Sequence, residues 1–201
     1  MRLVEIPEIG GSIPRRGCRF CRVLGRMVMR LGGWSFTGTI PDISKAVIIV
    51  APHTSNWDFV IVAAGMLALD LDLLFLGKHS LFSGPLAPIM RGLGGVPVDR
   101  NIPGAGVVEQ MVELFRSSEA MLLALSPEGT RAAAERWHMG FYHIAAGAEV
   151  PILPVALDYG RREIRFGPPC IPSRNPDTDL AELERCFVNA RAKRNQGASE
   201  P

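Results

Sequence analysis

A histidine and an aspartate, His53 and Asp58, are the residues of this chain best suited to proton transfer. On a continuous helix, a spacing of five residues places two side chains about 140° apart, so they would not touch. They can meet if His53 lies in the turn before a helix and Asp58 in its first turn, and Thr54, Ser55 and Asn56 are all suitable N-caps. Asp58 would then accept a hydrogen bond from one imidazole nitrogen and leave the other as a general base.

The same two residues also fit a purely structural role. The pattern Ser55-x-x-Asp58 resembles a capping box, in which two side chains satisfy the first backbone N–H groups of a helix. An aspartate in the first turn is also favoured by the helix dipole. Spacing alone therefore leaves both catalysis and helix capping open.

Two arginines and a short loop are candidates for binding an anion. Arg100 and Arg131 each follow a predicted strand, and a guanidinium can hold a phosphate with two hydrogen bonds. Gly129 and Thr130 add backbone donors and a hydroxyl, which suit an anion-binding turn. Glu128 would neutralise one arginine or bond a substrate hydroxyl. The alternative is that the arginines form surface ion pairs, which contribute little to stability.

The elements that must position these groups alternate between strands and helices. Apolar runs predict buried strands at 46–51, 73–76, 95–99, 120–125 and 152–157. Helical periodicity predicts helices at 56–69, 107–116 and 138–148, with a short helix or loop at 85–93. An edge hairpin strand at 163–166 and a terminal helix at 177–194 complete the pattern. This alternation predicts a single-domain α/β fold with a largely parallel central sheet flanked by helices.

The predicted sheet brings the candidate residues to one edge. Ligands of an open α/β sheet bind outside the carboxyl ends of its strands. His53 follows the first predicted strand, Arg100 the third and Glu128 the fourth. We therefore expect the site at this edge, and we predict no metal in it because the spacings match no metal-ligand pattern.

The N-terminal region differs from the rest of the chain in charge. Residues 1–36 carry seven arginines against Glu5 and Glu8, a net charge of +5, and the other 165 residues carry 15 basic and 18 acidic groups, a net charge of −3. We expect a basic arm with an amphipathic helix at 1–36, an α/β domain at 37–194 and a flexible tail at 195–201. Since the body is acidic and shows no nucleic-acid-binding motif, an anionic membrane surface is the favoured partner and nucleic acid is not expected.

The predicted N-terminal helix has two distinct faces. Five arginines fall within an arc of about 80°; they are Arg15, Arg19, Arg22, Arg26 and Arg30. The opposite arc carries Phe20, Cys21, Leu24, Met27, Val28 and Leu31. Either this apolar stripe packs on the core, or residues 15–34 lie in a membrane interface with the arginines toward anionic headgroups.

The cysteines and the apolar runs exclude several protein classes. Cys18 and Cys21 have C-x-x-C spacing, but Cys170 and Cys186 supply no second pair, so we expect four inert thiols in a reducing cytosol. The longest apolar run has 11 residues, fewer than the roughly 20 that a membrane-spanning helix needs. No signal-peptide pattern is present either. We therefore expect a cytoplasmic protein that binds peripherally to the inner face of the membrane.

Four sequence blocks resemble those of a known family. The segment from His53 to Asp58 looks like the H-x-x-x-x-D motif of the glycerolipid acyltransferases, the family of lysophosphatidic acid acyltransferase. The segment 94–100 is similar to the family's second block, which ends in Asp-Arg, and 128–131 matches its third, E-G-T-R. The segment 150–155 resembles the fourth, an apolar strand that contains proline. The four blocks stand in family order over 46–157.

The resemblance implies transfer of a fatty acyl group from a thioester to a hydroxyl. The donor would be acyl-CoA or an acyl carrier protein, acting as co-substrate with no other cofactor, and the acceptor a lysophospholipid such as 1-acylglycerol-3-phosphate. His53 would be the general base and Asp58 its orienting partner. The phosphate of the acceptor would bind to Arg100 and the third block, which comprises Glu128, Gly129, Thr130 and Arg131.

The sequence also departs from the family at two positions, and other classes compete with it. Pro97 replaces the usual aromatic of the second block, and His138 stands where a lysine is common after the third. The main alternative is a lipid-binding or lipid-transfer protein without catalysis. An α/β lipid hydrolase is a further one, although Ser80 lacks the flanking glycines of a G-x-S-x-G motif. A metal hydrolase would use His53, Asp58, Glu128 and His143.

Overall fold

The computed structural model describes residues 5–98, 106–128, 137–173 and 175–193. The strands are β1 (Ser35–Thr37), β2 (Lys45–Ala51), β3 (Leu74–Lys78), β4 (Gly95–Val98), β5 (Met121–Leu125), β6 (Ile152–Asp158) and β7 (Glu163–Phe166). The α-helices are α1 (Arg19–Gly32), α2 (Asn56–Ala68), α3 (Ala87–Gly92), α4 (Val107–Ser117), α5 (Gly140–Ala148) and α6 (Pro176–Arg185), and a 3₁₀ turn spans His79–Phe82. All the predicted strands are present, with ends that differ by one or two residues.

The strands form a mostly parallel sheet in the order β1-β7-β6-β2-β5-β3-β4. Five neighbouring strands, from β6 to β4, are parallel to one another, and β7 pairs antiparallel with β6. The predicted α/β class is therefore confirmed. β7 was expected at the edge of the sheet, but β1 pairs in parallel with its outer side. A strand of three residues carries too little alternation to be identified from sequence.

Helices cover both faces of the sheet because its central strands are apolar on both sides. In β2, Ile48 and Val50 pack toward α1 and α2, whereas Val47 and Ile49 pack toward α4, α5 and α6. This alternation follows from the two-residue period of a strand. Burying each such side chain stabilises the fold by roughly 1.5–3 kcal/mol. The rigid sheet between these layers holds the turns at its carboxyl edge.

The terminal helix is shorter than predicted. It was expected at 177–194 but ends at Arg185, with Cys186 as its C-cap. Beyond it, the chain turns back along the sheet, and the carbonyl of Arg191 accepts a hydrogen bond from the backbone N–H of Tyr159. This tertiary contact requires an irregular backbone where propensity alone predicted helix.

Helix α1 packs antiparallel on α2 through a glycine. A Cβ at Gly25 would overlap the backbone of Ala64 and Ala68, so only glycine permits this close approach. Met29, one turn further along, is fully buried. The face of α1 that contacts the body is therefore centred on Gly25 and Met29, and not on the apolar stripe.

The arginines near α1 bind the end of α2. Arg15 and Arg26 donate hydrogen bonds to the carbonyls of Leu69 and Ala68, and Arg22 forms an ion pair with Asp70 at 3.6 Å. Cations are favoured at the C-terminal end of a helix, where backbone carbonyls lack partners. The expected orientation, with all five arginines toward lipid headgroups, is therefore wrong for these three.

The apolar stripe of α1 is exposed. Its side chains Phe20, Leu24, Met27 and Leu31 are 77, 39, 51 and 74% exposed, respectively. The first interpretation, in which this stripe packs on the core, is therefore wrong for these four side chains, whereas Val28 is partly buried against the core.

The N-terminus of α1 is held by a disulfide. Cys18 and Cys21 are bonded, with their Cα atoms 5.2 Å apart, and the sulfur of Cys18 also accepts a hydrogen bond from the backbone N–H of Cys21. The prediction of four free thiols is wrong here because a first helical turn brings C-x-x-C cysteines within bonding range. Cys170 and Cys186 are free thiols, and both are half-buried.

Candidate active site

The turn between β2 and α2 has the predicted geometry. Ser55 is the N-cap of α2, and its hydroxyl accepts a hydrogen bond from the backbone N–H of Trp57 at 3.3 Å. One oxygen of Asp58, Oδ2, accepts hydrogen bonds from the backbone N–H groups of Thr54 at 2.7 Å and Ser55 at 2.6 Å. The aspartate therefore closes a capping box and folds the turn that carries His53.

His53 and Asp58 meet across this turn. Nδ1 of His53 lies 3.5 Å from Oδ2 of Asp58. The aspartate side chain is fully buried, whereas the imidazole is 25% exposed. Hydrogen bonds of this kind are often long in ligand-free sites and shorten when the substrate binds. Helix capping and orientation of His53 are consequently both compatible with the same carboxylate.

Glu128 holds the other side of the histidine turn. It follows β5, and its two carboxylate oxygens lie 3.2 and 3.0 Å from the backbone nitrogen of His53, which donates to them. Burial raises the pKa of this carboxyl, the hydrogen bond from His53 acts to lower it, and the charge of Asp58 raises it further. The observed partner of Glu128 is thus the backbone of the candidate base.

The structure adds a residue that the sequence analysis did not identify. The hydroxyl of Tyr159 donates a hydrogen bond of 2.6 Å to Oδ1 of Asp58. Tyr159 directly follows β6, and its ring packs edge-on against Trp34, with 4.9 Å between ring centroids. The rule that ligand-binding residues follow parallel strands could have found it, because it lies at the carboxyl end of the strand beside β2.

A cation lies next to these groups. The amine of Lys193 stands 4.4 Å from the centre of the exposed Trp57 ring and 6.0 Å from that of Tyr159. At such distances a lysine is attracted to the face of an aromatic ring. The segment that follows α6 therefore reaches the neighbourhood of the histidine turn.

The remaining site predictions are only partly placed. Arg100, Gly129, Thr130 and Arg131 lie outside the described residues. β4 ends at Val98 and Glu128 follows β5, and β3 lies between these two parallel strands in the sheet. His143 is exposed on α5. Among residues 5–98, 106–128, 137–173 and 175–193, no three or more His, Cys, Asp or Glu side chains are grouped to hold a metal ion.

Comparison with known proteins decides the family. The acyltransferase family model matches residues 35–158, which span the six strands β1 to β6 and the His53–Asp58 turn. The chain belongs to the acyltransferase family. Its resemblance to the glycerolipid acyltransferases is confirmed by the relatives of this family that it matches.

Two bacterial acyltransferases illustrate the relationship. The 1-acyl-sn-glycerol-3-phosphate acyltransferase of Streptococcus pneumoniae is 30% identical over 120 residues, which cover 59% of this chain and 44% of that protein. The probable 1-acyl-sn-glycerol-3-phosphate acyltransferase of Mycoplasma pneumoniae is 34% identical over 120 residues, covering 56 and 44%. The chain thus spans less than half the length of these curated relatives.

A solved acyltransferase shares the fold. The crystal structure of the 1-acyl-sn-glycerophosphate acyltransferase PlsC from Thermotoga maritima superposes with a TM-score of 0.62 over 84% of this chain and 76% of that one. Sequence identity is 18%, so this similarity shows that the two chains share a fold and nothing further.

Proposed function

We propose that this protein is an O-acyltransferase that acylates a lysophospholipid such as 1-acylglycerol-3-phosphate. The acyl donor is a thioester, either acyl-CoA or an acylated carrier protein, and serves as co-substrate without a resident cofactor. The observation that carries the proposal is the His53–Asp58 pair, with Nδ1 3.5 Å from Oδ2, within the segment that matches the family. The names of the bacterial relatives supply the acceptor class.

In the proposed mechanism, His53 activates the acceptor. Asp58 faces Nδ1, so Nε2 is the nitrogen on the opposite side of the ring. This nitrogen takes the proton of the lysolipid hydroxyl as its oxygen attacks the thioester carbonyl. The tetrahedral intermediate then collapses, the carbon–sulfur bond breaks, and the imidazolium returns the proton to the thiolate. The products are a diacyl phospholipid and a free thiol, and no acyl-enzyme forms.

Substitution of His53 tests this role. A positioned base contributes about 10²–10⁴-fold, so His53→Ala should lose that factor in kcat while remaining folded and retaining lysolipid binding. The matched control is His143→Ala, which removes an exposed histidine from α5 and should leave turnover unchanged. Near-normal turnover in His53→Ala would exclude the base. Lysolipid binding without turnover in the wild type would instead favour the lipid-binding alternative.

We further propose that the acceptor phosphate binds to Arg100 and to the loop of Gly129, Thr130 and Arg131. Hydrogen bonds to charged groups contribute about 1.5–3 kcal/mol, so Arg100→Ala and Arg131→Ala should each raise the acceptor KM by about tenfold or more. The donor KM should change little. A rise confined to the donor KM would instead place these arginines at the thioester.

We also propose that α1 docks on an anionic membrane surface and so holds the enzyme peripherally at the inner face. None of the described helices is long and apolar enough to cross a bilayer. The exposed stripe of α1 supplies an apolar face for insertion, and Arg19 supplies a charge complementary to anionic headgroups. Because Arg15, Arg22 and Arg26 bind α2, the apolar face contributes the larger share.

Vesicle sedimentation tests this docking. Phe20→Asp should weaken binding to phosphatidylglycerol vesicles by about tenfold or more, since burying a phenylalanine stabilises by roughly 1.5–3 kcal/mol. The matched control is Ile171→Asp. Ile171 is 79% exposed and follows Cys170, which pairs with Ile152 at the first residue of β6. Equal losses in the two variants, or no loss in Phe20→Asp, would contradict docking through α1.

A further inference from the structure

The two oxygens of the Asp58 carboxylate have separate partners. Oδ2 accepts the backbone N–H groups of Thr54 and Ser55 and faces Nδ1 of His53. Oδ1 accepts the hydroxyl of Tyr159 at 2.6 Å. A carboxylate held only by Oδ2 could still rotate about its terminal torsion, which has no sharp preferred angle. The bond to Oδ1 removes that freedom.

Tyr159 is itself held from three sides. Its backbone N–H donates to the carbonyl of Arg191 at 2.9 Å, its ring packs on Trp34, and its hydroxyl donates to Asp58. Burial raises the pKa of its phenol, and the hydrogen bond and charge of Asp58 raise it further. The hydroxyl consequently stays protonated and remains a donor over the working pH range.

We propose that Tyr159 is a positioning residue for acyl transfer, which fixes the Asp58 carboxylate through Oδ1 and thereby sets how Oδ2 orients His53. The proposal rests on the proposed function, because it assigns Tyr159 to the same acid–base pair. The contact joins residues 101 positions apart, so the β6–β7 turn and the β2–α2 turn form one unit around the base.

Other charged groups lie around this unit among the described residues. Glu128 bonds the backbone of His53 and lies close enough to Asp58 for their charges to interact. The buried carboxylate of Asp158 directly precedes Tyr159 and lies 4.0 Å from the guanidinium of Arg161, and Lys193 lies over the Trp57 and Tyr159 rings. None of these groups bonds to the Tyr159 hydroxyl, so a change in the pH profile of a variant that lacks it reports on the hydroxyl.

The variant Tyr159→Phe tests the proposal, since it keeps the ring against Trp34. We expect kcat to fall on the order of tenfold or more, as it does when the partner that orients a functional histidine is removed. The KM values for donor and acceptor should stay within about twofold, because the hydroxyl is bound to Asp58 rather than directed at substrate. Without the Tyr159 hydroxyl as a hydrogen-bond donor, the Asp58 carboxylate that faces His53 carries more negative charge. The acidic limb of kcat/KM should therefore move to higher pH by a few tenths of a unit.

The matched control is Tyr142→Phe. The hydroxyl of Tyr142 also donates to a buried carboxylate, that of Asp179 at 2.7 Å, and neither residue bonds to His53, Asp58 or Glu128. It should leave kcat and the acidic limb unchanged. Unfolding curves of both variants across the same pH range show where each is fully folded, and the limb is compared only within that range.

Two results overturn the proposal. If Tyr159→Phe has a wild-type kcat, the hydroxyl does not position Asp58. If kcat falls but the acidic limb coincides with that of the wild type, Tyr159 is merely structural. Either result leaves the proposed function standing as long as His53→Ala is inactive, whereas an active His53→Ala would reject the function itself.

Discussion

Two tyrosine–aspartate pairs occur among the described residues, and in one of them the aspartate also lies against a histidine. Tyr159 donates to Asp58 at 2.6 Å, and Tyr142 donates to Asp179 at 2.7 Å. Each aspartate also accepts backbone N–H groups from a tight loop, at Thr54 and Ser55 in the first pair and at Ser173 in the second. The same chemistry therefore organises two loops that precede two helices.

The electrostatic settings of the two pairs differ. Burial acts to raise the pKa of Asp179, but the hydrogen bonds from Ser173 and Tyr142 outweigh it, so the pKa is lowered. The pKa of Tyr142 is correspondingly raised to about 12, by burial first and then by Asp179. At Asp58, the oxygen that accepts the two backbone N–H groups also lies 3.5 Å from Nδ1 of His53.

The two pairs differ in whether a histidine lies against the carboxylate. Asp179 accepts hydrogen bonds from Ser173 and Tyr142, whereas Oδ2 of Asp58 also lies 3.5 Å from a partly exposed imidazole. Under the proposed function, this imidazole is the group that exchanges a proton with the substrate. Three predictions test whether the two pairs differ in this way.

The largest expected difference concerns turnover. Asp58→Asn should lower kcat by about 10–100-fold, less than His53→Ala, because an amide cannot stabilise the imidazolium and keeps one acceptor oxygen for either Tyr159 or the backbone N–H groups, but leaves the base itself in place. Asp179→Asn should keep kcat within about twofold. Steady-state kinetics on the two purified variants checks this. Equal activity losses would mean that both aspartates act only through folding.

The next difference is one of acid stability. The folded-state pKa of Asp179 is lowered. The ionised carboxylate therefore stabilises the protein at pH values above the ordinary pKa of an aspartate, about 3.9, and this contribution is lost as the pH falls through the folded-state pKa. Wild type should therefore exceed Asp179→Asn in unfolding free energy by about 1–3 kcal/mol at pH 7. The gap should shrink toward pH 2. Urea titrations across this range measure it, and a gap that is constant with pH would contradict the assignment.

The smallest expected effect is on a neighbouring thiol. Burial raises the pKa of Cys170 first, and the charge of Asp179 raises it further. In a Cys186→Ser background, Asp179→Asn should therefore increase the alkylation rate of Cys170 by about twofold, because more thiolate is present. Iodoacetamide labelling followed by mass spectrometry gives the rate. An unchanged or slower rate would show that Asp179 does not act through its charge.

Much of the fold followed from local pattern. The apolar runs of β2 and β6 and the N-cap residues before α2 predicted both the sheet edge and the geometry that brings His53 to Asp58. These features depend on a few consecutive residues, for which periodicity and capping rules are informative.

The rest depended on contacts distant in sequence. Tyr159 donates a hydrogen bond to a residue 101 positions away, and nothing in its local sequence indicates that partner. The two arcs of α1 were evident, but Gly25 decides which of them meets α2, through a close approach that only the folded chain reveals. The three-residue strand β1 owes its identity to pairing with β7.

Measuring the phospholipid and thiol products together tests most directly the claim that the acyl group is transferred without an acyl-enzyme. Wild-type protein is given a labelled acyl thioester with and without 1-acylglycerol-3-phosphate, and labelled phospholipid, free thiol and labelled protein are quantified after rapid quenching. Direct transfer with His53 as base predicts equal amounts of new phospholipid and thiol, dependence of both on the acceptor, and no label on the protein. Thiol release without phospholipid, or label retained on a side chain, would contradict it.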